Sequence, residues 1–94
     1  MIINGYEIKP GTNLSGANIR GADLRGADLY RTILCRAYLC RADLCRANLY
    51  RADLYRADLS GANLSGANLS GTILCRAYLT DTVLDPAASI PEIP

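Results

Sequence analysis

From Leu14 to Leu84 every fifth residue is leucine or isoleucine, fifteen times without a gap. Two places before each of these centres stands alanine or threonine, again without exception. A period of five fits neither ordinary element. On an α-helix, five steps turn a side chain by about 500°, so the leucines would wind round the whole surface. On a flat strand an odd period sends successive leucines to opposite faces. Yet each unit holds a period-two pair, such as Ala42 and Leu44 around Asp43. A short extended piece points such a pair to one side, and the two remaining residues then turn a corner. A chain that bends the same way every five residues winds into a coil with all pairs inward. Stacked coils share backbone hydrogen bonds about 4.8 Å apart, giving an all-β solenoid.

A longer echo bears on the number of sides. The stretch from Thr32 to Leu39 recurs unchanged from Thr72 to Leu79, an offset of forty residues. Forty is divisible by twenty and not by fifteen, which favours four sides over three. Alanine suits a narrow interior and leucine fills it. Each buried leucine contributes roughly 1.5–3 kcal/mol, so fifteen centres can stabilise a chain of 94 residues.

The phrase A-(D/N)-L-x-x, clearest from Arg41 to Leu54, resembles the signature of the pentapeptide repeat family. The resemblance covers residues 12–85, about four-fifths of the chain. It implies a right-handed quadrilateral β-helix of about four twenty-residue coils, with leucine and alanine inward and the other three positions outward or at corners. The texture is also similar to that of short cyanobacterial members. The expected organisation is a single pentapeptide-repeat domain over 1–94: an N-terminal cap at 1–11, repeats at 12–85 and a C-terminal tail at 86–94.

Ile2, Ile3, Tyr6 and Ile8 make residues 1–11 too apolar for a solvated tail, and an open coil end needs a cap. At the other end Pro86 stops the repeat, since proline blocks further laddering. Ile90 and Ile93 are expected either to lid the last coil or to leave it to pair end to end in a homodimer. The corners read Gly16, Gly21 and Gly26, then six arginines from Arg31 to Arg56, then Gly61, Gly66 and Gly71, then Arg76 and Asp81. Arginine at so many corners implies that a positive φ is not needed there.

Ten basic residues against nine acidic give a net charge of +1. That balance predicts no strong nucleic-acid binding and no strongly acidic nucleic-acid mimic. No apolar run reaches membrane-spanning length, so no membrane association is expected. The start, Met1 to Gly5, lacks the basic residue and long apolar core of a signal peptide, so a cytoplasmic location is expected.

Candidates for chemistry are few. Cys35, Cys40, Cys45 and Cys75 each follow a centre, hence lie outside; the first three diverge on successive faces. Cys35 and Cys75 share a face two coils apart, roughly 9–10 Å, too far for a disulfide. Four converging zinc ligands are not available, so no metal and no cofactor are expected, and the thiols are free. Asp23, Asp28, Asp43, Asp53 and Asp58 read as corner caps, since the chain has no histidine and no cue sets carboxylates facing each other. No catalytic residue is assigned and the protein is expected not to be an enzyme.

The surface offers two interaction features. On a twenty-residue coil Arg36, Arg56 and Arg76 form one column, and Arg31 and Arg51 another, beside a stack of Tyr30 and Tyr50. Like charges about 5 Å apart repel, and an anionic partner would relieve them; the alternative is a solvated face balanced by neighbouring aspartates. Second, Ile33, Tyr38, Ile73, Tyr78 and Val83 replace the usual Asp or Asn, and Tyr38 and Tyr78 would flank Asp58. The leading reading is a non-enzymatic module that presents Arg31, Arg36, Arg51, Arg56, Arg76, Tyr38 and Tyr78 to an unknown protein partner. The resemblance implies an alternative, a DNA mimic that binds DNA gyrase. Those relatives are usually longer and markedly acidic, with a C-terminal helix for dimerisation that a Pro-rich tail opposes.

Overall fold

The computed structural model describes residues 1–85. The expectations for Ile90, Ile93 and the rest of the tail lie outside them. The repeats form a right-handed quadrilateral β-helix. Parallel bridges join each Asp/Asn position to the one twenty residues later, in four columns. Face one carries Asn13, Ile33, Asp53 and Ile73; face two carries Asn18, Tyr38, Asp58 and Tyr78. Face three carries Asp23, Asp43, Asn63 and Val83, and face four carries Asp28, Asn48 and Asn68.

One unit shows why five residues suffice. The amide of Asp53 donates down to Thr32 O at 3.0 Å, and that of Leu54 up to Ile73 O at 2.8 Å. Arg56 N–H donates up to Cys75 O at 3.0 Å. Ala52 N–H closes the preceding turn onto Leu49 O at 2.9 Å. The fifth amide, of Tyr55, is taken by the side chain of Asp53 at 3.1 Å. Every N–H of the unit is thereby used, as a stacked backbone requires. The same side-chain bond recurs at Asn13, Asp23, Asp43, Asn48, Asp58 and Asn63. This is the physical reason for Asp or Asn one place before the centre.

The centres and the Ala/Thr positions make the core. Leucines from Leu24 to Leu59 are fully buried, and Ala52, Ala57 and Ala62 beside them equally so. Threonine fits the alanine slot because its hydroxyl reaches the coil below: Thr72 donates to Leu49 O at 3.0 Å and Thr82 to Leu59 O at 3.1 Å. Thr12, in the first coil, has no coil below it, and its buried hydroxyl is unpartnered.

The corners overturn one expectation. Arg31, Arg36, Arg41, Arg46, Arg51, Arg56 and Arg76 all have φ between 56° and 61°, and Asp81 has 58°. The glycines at the other corners have the same left-handed sign. The reason lies in the turn. Leu54 O accepts from Ala57 N–H, and a positive φ at the third residue is what a type II turn demands. Each arginine therefore holds a conformation that costs an L-residue roughly 1–2 kcal/mol. The stacking fixes the turn, and arginine accepts the strain.

The N-terminal segment is a hairpin. Strand β1 (Ile2–Ile3) pairs antiparallel with β2 (Tyr6–Glu7). Asn4 and Gly5 between them both have positive φ, the two-residue turn that suits a right-twisted hairpin. Ile8 enters the core and Ile3 packs on its end. Asn4 Nδ2 ties the turn to Asn18 O at 3.0 Å.

Candidate functional site

Four corner columns run along the rod. Arg36, Arg56 and Arg76 stack above Gly16 on the corner between faces one and two. Arg41 stands between Gly21 and Gly61 on the next corner, with Asp81 above. Face two, between these corners, exposes Tyr38 at 42% and Tyr78 at 63%. A shallow cleft of about 290 Å³ lies on the first corner, lined by Arg36, Ala37, Tyr38, Arg56, Asp58 and Tyr78. A wider one of about 740 Å³ flanks the other edge, where Arg20, Cys40, Arg41, Ser60 and Thr80 meet Asp58 and Asp81. The arginine column and the tyrosine patch, separate in the sequence, thus form one surface. Ile33 and Ile73, both exposed, extend it around the corner onto face one.

Arg31 and Arg51 do not join it. They occupy the far edge of face one, over Tyr30 and Tyr50 at 5.5 and 5.3 Å from the ring centroids. Those two rings stack at 5.7 Å and 4°. The sequence reading missed Arg20, whose guanidinium lies 4.3 Å from the centre of the Tyr38 ring. The twenty-residue offset of the coil contained that signal, since it puts residue 20 one coil below residue 40. Arg56 lies over Tyr55 at 5.5 Å.

Among the described residues the ion pairs are those of Arg25, with Asp23 at 2.7 Å and Asp43 at 3.8 Å, on face three. Hydrogen bonds from Arg25 hold the Asp23 carboxyl down to about pKa 2. Among the described residues no corner arginine joins a carboxylate, so the aspartates there do not balance the column through direct contacts. The four cysteines are free and half-buried rather than fully outside. Burial, then a hydrogen bond with Asp53, raises the Cys35 thiol.

One further property follows from the exchange of Asp or Asn for apolar residues. The amides of Tyr55 and Ser60 are taken by Asp53 and Asp58. The equivalent amides of Cys35, Cys40, Cys75, Thr80 and Asp85 follow Ile33, Tyr38, Ile73, Tyr78 and Val83, which offer no acceptor. Among the described residues these five N–H groups have no partner. Those of Cys35, Cys40, Cys75 and Thr80 lie on the two corners that border face two, and that of Asp85 ends face three.

The sequence matches the pentapeptide repeat model in eight copies, over residues 10–34, 22–61 and 62–85. The chain belongs to the pentapeptide repeat family. Among solved structures it is similar to HetL, a pentapeptide repeat protein involved in heterocyst differentiation regulation in the cyanobacterium Nostoc. The TM-score is 0.78 and the identity 36%, over 87% of this chain and 38% of HetL. A second Nostoc pentapeptide repeat protein matches at a TM-score of 0.75 and 35% identity, over 85% of this chain and 70% of that one. The pentapeptide chain thus spans well under half the length of HetL. No curated protein matches it. Among the described residues no helix is long and apolar enough to cross a membrane.

Proposed function

We propose that this pentapeptide repeat protein is a non-enzymatic, cytoplasmic interaction module that binds a protein partner through face two and its bordering arginine corner. The observation that carries the reading is the meeting of Arg36, Arg56 and Arg76 with exposed Tyr38 and Tyr78 on one stretch of rigid backbone. Aromatic rings and arginine are the residues that supply most binding energy at interfaces. The scaffold holds them at fixed spacing, so little ordering entropy is lost on binding. The absence of histidine from the sequence agrees with a role without acid–base chemistry near neutral pH. The similarity to HetL, which is involved in heterocyst differentiation regulation, agrees with a role in recognition.

The test is affinity capture from host lysate, with the parent beside a variant carrying Arg36→Gly, Arg56→Gly and Arg76→Gly. Glycine is native to the same corner at Gly16, so the variant keeps the fold. A partner retained by the parent and lost by the variant supports the reading. A partner retained equally by both removes the arginine corner from it.

A further inference from the structure

We infer that face two recognises an acidic segment of a partner protein, whose carboxylates take the backbone N–H groups that Ile33, Tyr38, Ile73 and Tyr78 leave without an acceptor. This deepens the proposed interaction site and rests on that reading. In the repeat, the amide after each centre is bonded by a carboxylate or carboxamide of its own unit. At Cys35, Cys40, Cys75 and Thr80 that oxygen is missing, and what stands in its place is apolar. At the neighbouring amide position a carboxylate does take a corner N–H: Asp85 accepts from the backbone N–H of Gly66 at 2.7 Å, where other corners bond a carbonyl of the next coil.

The surroundings set the sign of the missing group. Arg20, Arg36, Arg41, Arg56 and Arg76 border face two, against Asp58 and Asp81. Asp58 already accepts from Ser60 N–H. The surface therefore offers backbone and guanidinium donors around two tyrosine rings, and its complement is a carboxylate on an apolar stem. Charge-assisted bonds from such donors are stronger than neutral ones. A second copy docked face to face would oppose arginine to arginine, so a different protein is the fitting occupant. With a net charge of +1 the chain lacks the excess of basic residues that carries nucleic-acid binding.

The experiment is an amide-resolved NMR titration of the full chain with a blocked peptide of alternating glutamate and valine. The amides of Cys35, Cys40, Cys75 and Thr80 should shift, and those of Tyr55 and Ser60 should not. Two variants separate the donors from the apolar contacts. Asn at positions 33, 38, 73 and 78 (Ile33→Asn, Tyr38→Asn, Ile73→Asn, Tyr78→Asn) restores the internal acceptor and the repeat's own signature. Ala at the same four positions removes the side chains and leaves the donors free. The Ala variant should bind at least about tenfold more tightly than the Asn variant, for the loss of two or more charge-assisted bonds. Equal affinities, or shifts spread over faces three and four, would overturn the inference. A single-stranded oligonucleotide that displaces the peptide and binds more tightly would overturn the assignment to an acidic protein. The Arg36→Gly, Arg56→Gly, Arg76→Gly variant judges the underlying reading separately: unchanged peptide affinity sinks the arginine corner, whatever the Asn and Ala variants do.

Discussion

Arg41 is the best place to measure what a left-handed corner costs. It has φ 61°, stands between Gly21 and Gly61 in its column, and makes no ion pair or ring contact among the described residues. Replace it by alanine and, separately, by glycine. Both remove the charge and the long side chain, so their difference isolates the backbone. Alanine keeps the left-handed penalty of roughly 1–2 kcal/mol. Glycine removes it, but gains freedom in the unfolded chain that costs about 0.4–1 kcal/mol. The difference leaves Arg41→Gly more stable than Arg41→Ala by roughly 1 kcal/mol, within about 0 to 1.6. In a domain of this size that is a gap of about 4–8 °C in Tm. Urea and thermal unfolding followed by circular dichroism read it directly. Alanine more stable than glycine would lie outside that range and show that the corner does not carry the left-handed penalty.

Other outcomes follow from single contacts. Leu44→Ala, at the centre of the rod, should lose about 2–5 kcal/mol in urea unfolding, since stacked coils leave little room to collapse the cavity. Thr12→Val should be neutral or stabilising, because its buried hydroxyl has no partner. Thr72→Val should instead cost about 1 kcal/mol for its bond to Leu49 O. By NMR titration the Asp23 carboxyl should show a midpoint near 2, and Arg25→Gln should return it toward 3.8. Because the folded value is the lower one, the contact stabilises above the unfolded pKa and is lost as pH falls through the folded one; the pair is exposed, so the effect is small. Cys35 should alkylate more slowly than a free cysteine at pH 8, and Asp53→Asn should speed it.

The coil was legible because its determinants are periodic. Fifteen centres state the period; the repeat of Thr32–Leu39 at Thr72–Leu79 favours four sides over three, and the family resemblance implies four. The flanking of Asp58 by Tyr38 and Tyr78 followed from a twenty-residue coil, and so did the stacking of Tyr30 on Tyr50. The corner conformation was misread because residue type was taken as a report on φ. In an isolated turn that inference is sound; here interlocking ladder bonds impose the turn and override the preference of arginine. The candidate site was half legible. Columns could be drawn from the offset, but which column borders which face depends on placing the turn residues at the corner. That placement joins Arg36, Arg56 and Arg76 to the tyrosines and sends Arg31 and Arg51 to the far edge. In residues 1–11 the apolar residues were legible, and Ile8 does enter the core, while the hairpin was overlooked although Asn4-Gly5 is a strong turn signal.

The ladder bonds have a last consequence, for how such a chain can change length. Every bond between coils joins positions about twenty residues apart, whatever the residues are. Removing or adding twenty residues leaves all columns in place, so the rod can shorten or grow without altering what each face presents. Removing five also leaves a foldable repeat, but it rotates everything beyond the cut by a quarter turn. An arginine column would then continue on the neighbouring corner, and face two would carry tyrosine at one end of the rod only. For this protein a short deletion acts as a rotation, and the surface pattern records the count of units modulo four.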